Sequence, residues 1–319
     1  MMAKYSTHKS ENHNDKITFL LGERPCGRVS AIMPIFAILL LLTGAVLHTG
    51  WNLILKRWPD KFILTWWMLV TGGCLAALTL AYTGLPPREM WKFSALSIIT
   101  ESVYFISLSY AYRDNDFSLV YPIARGSAPA FLALWSFLLL GERPTTGGLL
   151  GLGLVIGGLL IIGLGTFLQK RANNVHLKGI ALALFIAVLI SIYSTIDGTA
   201  VRHGGPAYAL PYVMTMFTIV PLILTPLIVR QYGWPRLKLE WQQRGLILAL
   251  TGVLSVASYL LAVFAYSIAP LSYSGAVREV SVVFGAIAGW WLLKEKLGGL
   301  RVVGAIVLFI GILVIAMFG

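Results

Sequence analysis

"LVYPIARGSAPAFLALWSFLLLGERP", residues 119–144, and "LSYSGAVREVSVVFGAIAGWWLLKEKLGG", residues 271–299, are apolar enough to lie in lipid, yet each holds an arginine and closes on charged residues. Arg125 and Arg278 are 278 − 125 = 153 residues apart. Glu142 and Glu295 keep the same spacing, 295 − 142 = 153, as do the pairs Gly151 and Gly304, and Gly158 and Gly311. Ala111-Tyr112 returns as Ala265-Tyr266, one residue out of that register. Nearer the start, Asn52 aligns with Asp197, and each is followed by a basic residue, Arg57 and Arg202. The chain is therefore an internal repeat, over residues 33–168 and 177–318.

The composition sets the solvent of that repeat. Of 319 residues, 57% are hydrophobic and 12% are charged, against about 25% charged in soluble domains. A chain with so little polar surface has to sit in a bilayer. Ten segments approach the ~20 apolar residues that a helix needs to cross a ~30 Å core: roughly 33–55, 62–83, 92–112, 117–140, 145–168, 177–201, 207–229, 244–268, 271–293 and 299–318. Five segments per repeat is an odd number, so the second copy enters from the opposite side. The expected fold is all-α, integral to the membrane, with ten transmembrane helices in two inverted five-helix repeats related by a two-fold axis in the membrane plane. Residues 1–32 are a polar, basic tail ahead of a signal anchor retained as the first helix, with Met33 as an alternative start.

The formal charge of +12 is not a nucleic-acid signal, because the basic residues lie between apolar runs and form no stripe. Two cysteines, Cys26 and Cys74, and five scattered histidines offer no disulfide framework, metal set or cofactor motif. Loops of odd number carry 14 Lys or Arg, loops of even number carry 4, and the tail adds 5. The positive-inside rule applied to the loops puts the odd ones in the cytoplasm and both termini outside.

Two five-helix repeats, each with an "LLLGER" or "LLKEK" turn before a Gly-rich last helix, resemble the EamA type of the drug/metabolite transporter superfamily. The opening "LHTGWNLILKR", residues 47–57, resembles one branch of it. The resemblance covers about 33–318 and implies a secondary carrier of small metabolites, often an exporter of amino acids or related compounds, in the cell (inner or plasma) membrane.

The residues themselves suggest where such a carrier would bind. Arg125 and Arg278 each lie about eight residues inside their segment, ~12 Å deep at 1.5 Å per residue. In an inverted repeat those depths are measured from opposite faces, so both arginines come near the midplane. A charge there is costly unless it faces a cavity or a partner. Glu101 reaches similar depth and is the expected partner of Arg125; Glu279 adjoins Arg278, but neighbours on a helix do not face each other. Asn52 and Asp197 are polar positions near helix ends, and His48 shares a helix face with Asn52. Tyr104, Tyr259, Tyr110, Tyr193 and Trp66 are aromatic candidates for a cavity wall, although packing explains an aromatic in a bundle equally well. Snorkelling or structural ion pairing would likewise explain the arginines.

The partners expected are the lipid bilayer and a small organic anion or zwitterion such as an amino acid, held through a carboxylate or phosphonate. A coupling proton or ion and a homo-oligomer are left open. The alternative class is a membrane-embedded enzyme acting on a lipid or phosphorylated substrate, which would want paired carboxylates, a metal cluster or an activated nucleophile at short spacing. A non-transporting scaffold would have no reason to carry midplane charge.

Overall fold

The computed structural model describes residues 33–114, 117–169, 177–294 and 298–319; the basic tail and Glu295 lie outside them. All regular structure among these residues is helical. In lipid a helix is the open-chain structure that satisfies its own backbone hydrogen bonds, and the long apolar segments form α1 Ile35–Arg57, α2 Lys61–Thr83, α3 Trp91–Asp114, α4 Phe117–Leu140 and α5 Thr146–Gln169. The second half gives α6 Leu177–Gly204, α7 Ala209–Tyr232, α8 Trp234–Ile268, α9 Leu271–Arg278, α10 Val280–Leu293 and α11 Gly299–Phe318. Their termini use ordinary chemistry. Asp60 caps α2, accepting from the Phe62 and Ile63 amides at 3.1 and 3.3 Å, and Gly84, Gly205 and Gly233 end helices at positive φ.

Eight of the described helices are long and apolar enough to cross a membrane. Two of the ten expected segments are not among them, for different reasons. In α3 the apolar residues are interleaved with serines, Thr100 and Glu101. The ninth segment is broken at Glu279 into α9, of 8 residues, and α10, of 14. The eighth segment is longer than expected, because α8 begins at Trp234 and kinks at Arg244 (φ −142°, ψ 23°). Neither interruption falls on a proline, whereas Pro221 and Pro226 lie inside an unbroken α7.

The packing is reciprocal between the halves. α1 packs on α8 and α6 on α3; α4 packs on α6 and α10 on α1; α2 meets α7 and α5 meets α11. The α5–α11 contact is the most extensive and runs antiparallel. A Cβ on Gly158 would fall 2.7 Å from the Gly304 carbonyl oxygen, and one on Gly151 would fall 2.8 Å from that of Gly311. These are the four glycines of the sequence register, but crossed: the register matches Gly151 with Gly304 and Gly158 with Gly311, and the antiparallel packing brings each to the other's partner. Gly153 and Gly157 of α5 lie off this seam, and a Cβ on either would meet nothing within 4 Å. Large apolar side chains such as Leu246, Leu222 and Ile35 are turned outward, as lipid solvation demands and water would not.

Candidate functional site

The helices leave a central cavity of about 640 Å³, its mouth included. Of the sequence candidates, His48 from α1, Glu101 and Tyr104 from α3, Arg125 from α4, Tyr259 from α8, and Arg278 at the end of α9 line it. Tyr193 of α6 lines it as well. The lining is largely paired by the repeat register. Arg125 has Arg278 at the 153-residue spacing, His48 has Tyr193 at the spacing of Asn52 and Asp197 (193 − 48 = 145; 197 − 52 = 145), and Glu101 has Ser255 at that of Tyr112 and Tyr266 (255 − 101 = 154; 266 − 112 = 154).

The two arginines are alike in position and unlike in surroundings. Arg125 is buried. Its Nε lies 3.4 Å from Glu279 Oε2, and its Nη2 donates to His48 Nε2 at 2.9 Å. Arginine has no acceptor, so the imidazole nitrogen accepts. The expected pairing of Arg125 with Glu101 is therefore replaced by one with Glu279. Glu279 belongs to the α9–α10 junction and turns toward Arg125, while Arg278 turns the other way. Arg278 donates from Nη1 to the Tyr266 hydroxyl at 2.9 Å, and its guanidinium carbon lies 5.4 Å from the centre of the Tyr259 ring. It has no ion pair with a carboxylate among the described residues. Glu101, on the same cavity, likewise has no ion pair there.

Two of the expected site residues do not line the cavity. Asn52 Nδ2 donates to the His48 carbonyl at 2.7 Å, one turn back on its own helix. Asp197 is fully buried behind Tyr259, whose hydroxyl it accepts, and it accepts the Tyr212 hydroxyl at 2.8 Å. Tyr104, Tyr193, Tyr259 and Phe217 make a continuous aromatic wall, with successive centroids 5.8, 6.3 and 6.0 Å apart. Trp66, expected on this wall, instead lines a neighbouring groove. The Tyr110 side chain lies outside the described residues.

Trp51, Ser255 and Ser258 also line the cavity and were not found by sequence reasoning. Trp51 packs edge-on against His48, with centroids 4.7 Å apart; its position three residues after a candidate was the available signal. The serines gave none, since a helical serine usually bonds its own backbone, as the Ser258 hydroxyl does to the Ser255 carbonyl at 2.9 Å.

A polar cluster ties four helix ends together on one side of the bundle. Glu142 pairs with Arg202 at 2.7 Å and accepts from the Leu271 and Ser272 amides at 2.6 and 3.1 Å. Arg202 also donates to the Tyr266 and Ala269 carbonyls, at 3.0 and 2.8 Å. Glu142 thus caps α9 and neutralises the arginine that caps α8.

The pattern of the EamA-like transporter family matches the chain twice, over residues 31–164 and 177–317. The chain belongs to that family, and its apolar helices make it a multi-pass membrane protein. A protein of Clostridium kluyveri described as an uncharacterized transporter is 31% identical over 135 residues. That match takes in 41% of this chain and 43% of that protein, so the chain spans less than half the length of the relative it matches. A solved crystal structure with 18% sequence identity superposes with a TM-score of 0.68, covering 88% of this chain and 96% of its own. At that identity the likeness concerns the fold alone.

Proposed function

We propose that the chain is a secondary transporter of the cell membrane that carries a small organic anion or zwitterion, an amino acid being the type case, in either direction as an exporter or permease. Ten spans arranged as two inverted five-helix repeats would let one cavity open alternately to each side. The double family match, the reciprocal helix packing and the facing glycine pairs support that arrangement.

The observation that carries the substrate class is the inequality of the two arginines. Arg125 is compensated by Glu279, whereas Arg278 lies on the cavity with a tyrosine hydroxyl and a ring face for company. A guanidinium has five N–H donors in a planar fork that matches a carboxylate or phosphonate bidentately, and the Tyr259 ring holds that plane. Glu101, without an ion pair among the described residues, suits the ammonium end of a zwitterion. The site would thus bind a dipolar solute between Arg278 and Glu101, with Arg125 and His48 as the fixed side of the cavity.

The test is transport of a labelled amino-acid panel by purified protein in liposomes. Arg278→Ala abolishes it and Arg278→Lys weakens it, because an ammonium lacks the fork. If Arg278→Ala, correctly inserted and monodisperse, moves the same solutes at the wild-type rate, the anion site is elsewhere.

A further inference from the structure

Arg125 and Arg278 are held by different means. Arg125 has the Glu279 carboxylate against it. Arg278 rests on two residues of α8, the Tyr266 hydroxyl and the Tyr259 ring. That ring is tied down from behind. Its hydroxyl donates to Asp197 Oδ2 of α6, and the other carboxylate oxygen accepts the Tyr212 hydroxyl of α7 at 2.8 Å. Asp197 is fully buried and has no ion pair among the described residues. A buried carboxylate without a counter-charge is costly, so packing gives no reason for it. What it supplies is two acceptor oxygens and no donor, one oxygen for each phenol.

The first half lacks both members of this link. Asn52 stands where the register puts Asp197, and it donates to its own helix. Phe105 stands where the register puts Tyr259, at the spacing of Tyr112 and Tyr266 (259 − 105 = 154). The carboxylate and the hydroxyl therefore occur together, in the half whose arginine has no ion pair among the described residues.

We infer that Asp197 is a positioning residue for the substrate: it touches no solute, and through the Tyr259 hydroxyl it fixes the ring on which the Arg278 guanidinium lies. The inference rests on the proposed anion site at Arg278. Two effects act along the link. The hydrogen bond keeps the ring from turning away from the guanidinium, so the fork is set before an anion arrives. A phenol that donates to a carboxylate is also more electron-rich, which strengthens the hold of its ring face on the cation.

The test reads transport kinetics in liposomes, on the labelled amino acid that the wild type moves fastest, beside thermal unfolding of the same proteins. Asp197→Ala and Tyr259→Phe each raise KM by about tenfold with kcat little changed, and the double variant raises it no further. Tyr212→Phe removes the other donor to the same carboxylate and leaves the Tyr259 link in place; it lowers the melting temperature and keeps the wild-type KM. Lower melting temperatures with an unchanged KM in every variant make Asp197 merely structural and overturn the inference. So does a double variant whose KM effects multiply, or a Tyr212→Phe that raises KM as much as Tyr259→Phe. If Asp197→Ala fails to insert, Tyr259→Phe against Tyr212→Phe decides alone. Arg278→Ala separates the two readings. Loss of transport there, with a wild-type KM in Tyr259→Phe, overturns the positioning role and leaves the anion site standing. Wild-type transport by Arg278→Ala, or no amino acid moved by the wild type, overturns both.

Discussion

Arg125 and Glu279 form an ion pair at 3.4 Å although they come from opposite halves of the chain, and each is the other's counter-charge at the depth of the lipid core. The α1 helix completes the pair from the side, through His48 on Arg125 and through Thr49, whose hydroxyl donates to the Ser281 carbonyl at 3.1 Å. The junction of α9 and α10 is thereby fixed against the first half.

That coupling predicts strong non-additivity. Arg125→Ala or Glu279→Ala alone strands a buried charge and costs about 3–5 kcal/mol. Arg125→Met combined with Glu279→Leu recovers most of that loss, because the charge and its partner leave together. Thermal unfolding of the four proteins in detergent checks this, and additive losses would mean that the two residues act separately.

Glu142 predicts a different kind of loss. Glu142→Ala removes the cap of α9 and leaves Arg202 without its carboxylate, while Glu142→Gln keeps acceptor capacity and loses the charge. The first costs about 3–5 kcal/mol and the second less. The buried Ser274, three residues into α9, reports the loosening. In a background with Cys26→Ser and Cys74→Ser, a Ser274→Cys thiol reacts with a maleimide faster when Glu142 is alanine than when it is native.

The glycine seam makes a position-specific prediction. Gly158→Ala puts a Cβ 2.6 Å from the Leu308 amide nitrogen and loses about 1–3 kcal/mol by overpacking. Gly153→Ala, one and a half turns away and facing open space, is neutral or gains up to about 1 kcal/mol of helix propensity. Melting temperatures of the two variants move in opposite directions or differ by several degrees.

Orientation is open to a direct measurement. The 14 basic residues of the odd loops against 4 in the even ones predict that both termini lie outside the cytoplasm. A reporter active only outside should give signal when fused after Gly319, and a cytoplasmic reporter should be silent there. Signal from the cytoplasmic reporter reverses the assignment.

The residues show which parts of this design were legible. The 153-residue register put Arg125 and Arg278 together in advance, because helix rise converts sequence position directly into depth. It also marked Gly151, Gly158, Gly304 and Gly311, although it matched Gly158 with Gly311 and the structure sets it against Gly304. Glu279 was passed over because a continuous helix sends residues 278 and 279 in different directions. They do diverge, and that divergence is what frees Glu279 for Arg125. The break itself has no marker in the sequence, since no glycine or proline stands at 278–280; it is set by tertiary contacts. Asp197 was visible as an intramembrane charge, but its tyrosine partners come from α7 and α8, and no local pattern names them. Trp66 faced the wrong compartment for a similar reason: hydropathy distinguishes buried from exposed and not one cavity from its neighbour.

The seam between α5 and α11 has a mechanical consequence. Most packed interfaces can adopt two arrangements because side chains interlock in alternative ways. Where glycine meets backbone there is nothing to re-interlock, so this contact has one resting geometry and no slack. It would act as the spine of a book: the pages turn about it, and the largest displacements fall on the helices farthest from it. A crosslink through the spine should leave the carrier working, and one across the far edge should stop it.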